Sequence, residues 1–84
     1  MYEVVIGSET DNALVERIQA VVSRLHGGIS NPEWTIGGSQ EIATYKISLP
    51  SGNLEVVTET YIGVTLRGPE ALVLDFANQV TKPT

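Results

Sequence analysis

Few side chains in this chain could do acid–base or ligand chemistry, and they are widely spaced. His26 is the single histidine, and there is no cysteine. A histidine base needs a nucleophile within hydrogen-bond reach and a third group to orient it. His26 stands directly before Gly27-Gly28, and nothing nearby in sequence supplies either partner. Its place at a helix end fits a commoner role, contact with the helix C-terminus, where a cation is favoured. Glu55 and Glu59 form a candidate carboxylate pair. On an extended strand their spacing is about 13 Å. That is too far for a paired acid and base or for one metal ion without further ligands.

Gly37-Gly38-Ser39-Gln40 could offer backbone N–H groups to an anion. No lysine follows it and no helical pattern starts there, so it is not a phosphate-binding loop of the Walker type. Gly7-Ser8 lies between a strand and a helix, where an anion could sit. Glu9 and Asp11 already bring negative charge to that point. No catalytic residue, metal site or cofactor is therefore expected. What remains is a contact surface made of Lys46, Glu55, Val57, Glu59 and Tyr61. An aromatic and an aliphatic residue between charges are what binding surfaces use. Trp34, the only tryptophan, reads as a plug for a small core.

These residues need a scaffold, and the stretch from Ile42 to Leu66 supplies it. Ala43, Tyr45, Ile47 and Leu49 alternate with Thr44, Lys46 and Ser48, the pattern of a half-buried strand. Pro50-Ser51-Gly52-Asn53 is a dense turn signal. Closing that turn with Leu49 opposite Leu54 puts Ile47 against Val56 and Tyr45 against Thr58. Lys46 then lies opposite Val57 and diagonal to both Glu55 and Glu59. The alternation from Leu54 to Leu66 never breaks, which favours one long strand with a bulge at Gly63. A reversal near Glu59-Thr60 is the alternative, although no Gly, Pro, Asn or Asp supports a turn there.

Around the hairpin, Tyr2 to Ile6 reads as a strand, with Tyr2, Val4 and Ile6 inward and Val5 partly burying the other side. Leu14, Ile18, Val21, Val22 and Leu25 form one stripe of a helix. Ser8, Thr10 or Asp11 caps its start, and Gly27-Gly28 stops it. Ser30-Asn31-Pro32 reads as a loop and Glu33 to Ile36 as a short strand. The glycines after it either turn the chain or bend one long strand. Gly68-Pro69-Glu70 opens a last helix with Leu72, Val73, Phe76 and Val80 on its buried stripe. The expected fold is α+β in the order β-α-β-β-β-α. About four antiparallel strands carry both helices on one face, in a single domain spanning 1–84.

Composition bounds the partners. The 84 residues are 42% hydrophobic, enough for a modest core. Ten acidic residues against five basic ones give a net charge of −5. That balance repels a phosphate backbone and attracts a basic protein. The start of the chain lacks the basic and apolar regions of a signal peptide, and no apolar run is long enough to span a bilayer. Without cysteines, a reducing cytoplasm is the expected compartment.

The order of elements resembles that of double-stranded-RNA-binding domains, which run α-β-β-β-α, with one more strand at the start. The basic helix start of such domains is missing here, since Gly68-Pro69-Glu70 carries a Glu and no Lys. No functional residue is carried over from that resemblance. The expectation is a small non-enzymatic protein-interaction module. It would bind a basic partner protein or a second copy of itself; an acidic inhibitor or regulator is one concrete version. The alternative is a regulatory domain with a small-ligand pocket between sheet and helices.

Overall fold

The computed structural model describes residues 1–8, 11–37, 40–60 and 62–81. In chain order the elements are β1 (Tyr2–Gly7), α1 (Asn12–Arg24), β2 (Gly28–Ile29), β3 (Glu33–Gly37), β4 (Gln40–Leu49), β5 (Gly52–Glu59), β6 (Gly63–Gly68) and α2 (Glu70–Thr81). All strand pairs are antiparallel, in the order β1-β6-β5-β4-β2, and β3 also pairs with β4. The fold is α+β as expected, but it has six strands rather than about four.

One added strand comes from splitting the run from Leu54 to Leu66. The chain reverses between the paired residues Glu59 and Gly63, so β5 and β6 form a hairpin instead of one bulged strand. The unbroken alternation concealed this for a geometric reason. Three residues lie between Glu59 and Gly63, and an odd loop pairs residues of the same parity. Thr58 therefore faces Val64 and Val56 faces Leu66, and all four stay on one side of the sheet. Gly63, with φ of +117°, supplies the reversed backbone such a loop needs.

The β4–β5 turn also differs from the expected register. Only Pro50 and Ser51 lie between the strands, so Leu49 pairs with Gly52, Ile47 with Leu54 and Tyr45 with Val56. The shift is two residues, which preserves every face assignment and changes every partner. Gly52 makes the tight connection possible with φ of +144°.

β2 and β3 share one edge of β4. Gly28 and Ile29 pair with Ser48 and Ile47, while Glu33 to Gly37 pair with Thr44 to Gln40. The chain thus turns between Gly37 and Gln40; Gly38 and Ser39 lie outside the described residues. Between the two short strands, three residues on one side oppose two on the other, a bulge. Ser30 ties it down: its N–H donates to the Lys46 carbonyl and its Oγ accepts from the Lys46 N–H, both at 2.9 Å. Pro32 follows, where an edge strand tolerates a missing donor.

α1 starts at Asp11, whose carboxylate accepts from the Leu14 N–H at 3.1 Å. This settles the cap among the expected candidates; Glu9 and Thr10 lie outside the described residues. Its end departs from expectation. Leu25 is the cap, and His26 itself takes the left-handed conformation, with φ of +60°. His26 N–H donates to the Ser23 carbonyl and Gly27 N–H to that of Val22. Those two bonds make a Schellman closure with histidine where glycine is usual. Gly27 is needed for a different reason. A Cβ there would meet the Ser48 carbonyl at 2.6 Å and Leu49 Cδ2 at 2.5 Å.

Both helices lie on one face of the sheet. Leu14, Ile18, Val21 and Val22 of α1 and Val73, Phe76 and Val80 of α2 bury against Ile47, Leu49, Leu54, Val56, Val64 and Leu66. Tyr2, Val4 and Ile6 pack on the margin, while Val5 points to the other face and is exposed rather than part-buried. Arg17 and Arg24 of α1 join the helices, donating to the Val80 carbonyl and the Gln79 side chain at 2.8 Å each. No helix among the described residues is long and apolar enough to cross a membrane.

Candidate functional site

The expected contact residues lie on the face opposite the helices, in rows dictated by strand register. Lys46 faces Glu55, Glu55 faces Arg67, and Arg67 faces Glu3. Lys46 therefore has Glu55, not Val57, directly across from it. The row alternates in sign over four strands, and β3 adds Glu33 beside Lys46, at 3.6 Å. Arg67 is the centre of the row. Its Nε and Nη2 both donate to Glu55 Oε1, at 2.9 and 2.8 Å, and its Nη1 lies 3.7 Å from Glu3. The Arg67–Glu55 contact is partly withdrawn from water, while both side chains of Lys46–Glu33 are mostly exposed. An exposed pair of that kind is worth roughly 0–1 kcal/mol. Lys46 and Glu55, expected to pair with each other or a partner, are thus held by Glu33 and Arg67.

The next row is Thr44, Val57, Thr65 and Val5. Val57, expected as an exposed contact, is only 5% accessible. It sits on the central strand between two threonines, and a short β-branched side chain is easily covered by its neighbours. Glu59 lies further along, opposite Ile42, with no cation within ion-pairing distance among the described residues. Tyr61 lies outside the described residues. Of the five expected residues, the sheet brings Lys46, Glu55, Val57 and Glu59 onto one face, but Val57 offers little surface.

The helix-side face shows a feature not anticipated from sequence. Trp34, expected in the core, is 65% exposed. It pairs with Ala43, whose side chain belongs to the helix side. However, β3 is an edge strand at the end of β4 beyond β2, and α1 lies against β2. In the same cross-strand row stand Ala43, Thr58 and Val64. Thr58 and Val64, with Tyr45, Val56 and Ile47, floor a groove walled by Val15, Ile18 and Gln19 of α1 and by Ile29 of β2. Its volume is about 110 Å³. Val15 and Ile29 are both more than a third exposed. An exposed tryptophan two strand spacings, or about 10 Å, from an apolar groove is the combination interface anchors use.

All four described Lys and Arg residues are committed: Arg17 and Arg24 to α2, Lys46 and Arg67 to the row on the outer face. Glu16 directly follows Val15 on α1. Glu41 shares the helix-side face with Ala43 and is a diagonal neighbour of Trp34, roughly 7–8 Å away along such sheets. Both carboxylates are exposed, and neither has an ion-pair partner among the described residues.

Among the described residues no group of three or more His, Asp or Glu is placed to hold a metal ion. Compared with known proteins, the chain matches no family model, no curated sequence and no solved structure.

Proposed function

We propose that this chain is a small non-enzymatic protein-interaction module whose partner is basic. The observation that carries the reading is the commitment of cations described above. Lys46 and Arg67 are ion-paired within the molecule and Arg17 and Arg24 are hydrogen-bonded to α2, while Glu16, Glu41, Glu59 and Glu70 have no cationic partner among the described residues. The surface left to a partner is therefore dominated by free carboxylates. A complementary basic surface would be steered toward it, with an association rate that falls as salt rises. An inhibitor or regulator that covers a basic protein is one form this role takes.

The groove favours a second reading, a small-molecule site between sheet and helix. Size weighs against it. Ligand pockets usually enclose about 300–1,000 Å³, and this groove has about 110 Å³.

Affinity retention from native lysate tests the proposal. Proteins rich in Lys and Arg are expected to be retained and to elute as salt is raised. Retention of nothing, together with monomeric sedimentation, would refute it.

A further inference from the structure

We infer that the partner docks in the groove bounded by α1, β2 and the inner face of β4, β5 and β6, inserting one aliphatic side chain flanked by Lys or Arg. This inference rests on the basic-partner reading and names its site and chemistry. Three features of the groove define the occupant. Its volume of about 110 Å³ is smaller than the cavity of about 150 Å³ that accepts benzene, so it suits a single aliphatic side chain. Its lining is apolar, with Val15 and Ile29 open at the surface and Tyr45 on the floor. Trp34, about 10 Å away along the same cross-strand row, has 65% of its surface free and is able to contact residues flanking the anchor, covering an aliphatic stem or attracting a cation over its ring.

Charge decides what surrounds the anchor. Glu41 lies diagonal to the exposed Trp34, and Glu16 is exposed on the solvent side of α1. Neither carboxylate has an ion-pair partner among the described residues. A second copy of this chain, itself carrying a net charge of −5, would bring like charges to this acidic surface. A basic segment brings opposite ones. On the outer sheet face the charges of the Lys46–Glu55–Arg67–Glu3 row are already paired within the molecule, which leaves Glu59 as the unpaired carboxylate there among the described residues.

The test uses the full chain and a fluorescein-labelled synthetic peptide of lysines around one central leucine. Anisotropy reports binding, and the single tryptophan reports the site. Saturable binding with a blue shift of Trp34 emission is expected. Replacing the leucine of the peptide by serine should weaken binding roughly tenfold. Trp34→Ala should weaken it at least as much, and Glu16→Gln with Glu41→Gln should weaken it and flatten its salt dependence. Trp34 is exposed on an edge strand, so its truncation leaves the core intact, which circular dichroism checks. If the peptide binds wild type and Trp34→Ala equally, with emission unchanged, the groove is the wrong site while the basic-partner reading stands. If neither lysine peptide binds, that reading fails as well.

Discussion

Replacing Phe76 by alanine is expected to lower the unfolding free energy by about 3–5 kcal/mol. Phe76 is 1% exposed and is the largest fully buried side chain among the described residues. It sits mid-way along α2, between Val73 and Val80, in the layer where α2 meets the sheet and α1. A core this small has few neighbours able to close over the space a lost ring leaves. The whole domain should be stable by about 4–13 kcal/mol, at 0.05–0.15 kcal/mol per residue. One substitution therefore removes a large part of the total. Phe76→Leu keeps much of the volume and should cost about 1.5 kcal/mol or less. Leu74→Ala on the exposed side of the same helix should stay within about 0.5 kcal/mol. Urea unfolding followed by circular dichroism measures all three. Equal effects of Phe76→Ala and Leu74→Ala would mean that α2 buries a different face.

The second large effect is expected at a glycine. Gly63 has φ of +117°, and a Cβ added there would run into the carbonyl oxygen of Gly7. Backbone strain alone costs about 1–3 kcal/mol in such a conformation. The collision adds to it, because a backbone atom cannot rotate away as a side chain can. Gly63→Ala must either shift the β5–β6 turn or push β1 off β6. β1 is an edge strand whose register is already irregular between Val5 and Gly7, so it is the element that gives way. Amide exchange should then show protection lost first across Tyr2 to Gly7. Gly28→Ala is the matched control, since a Cβ there meets nothing within 4 Å. A Gly63→Ala variant as stable as Gly28→Ala, with β1 still protected, would contradict the β1–β6 pairing.

Periodicity carried most of the fold. The stripes of both helices, the inward residues of β1, β4, β5 and β6, and the placement of both helices on one face could all be read from alternation and 3.6-residue spacing. What alternation cannot carry is strand count or partner identity. A three-residue loop keeps parity, so the reversal between Glu59 and Gly63 left no break in the pattern. A two-residue shift of the β4–β5 turn also keeps parity, so faces were right and partners were not. The partners decide the charge row: with Lys46 opposite Glu55 the row extends through Arg67 to Glu3, a connection invisible until β6 and β1 are adjacent.

The candidate site was harder to read for a related reason. Tryptophan in a small domain usually serves the core, and Trp34 does lie on the core side of its strand by register. It is exposed because that strand continues past the helices, and coverage by a distant element leaves no local trace in sequence. The clue available was Pro32, two residues before Trp34, which marks an edge strand.

The most direct test is the emission of that single tryptophan in the free, folded protein. With Trp34 on an open edge of the sheet, native emission should already be red-shifted and should be quenched by acrylamide almost as readily as in urea. Blue-shifted native emission, protected from acrylamide until the protein unfolds, would place Trp34 in the core and remove the docking site built around it.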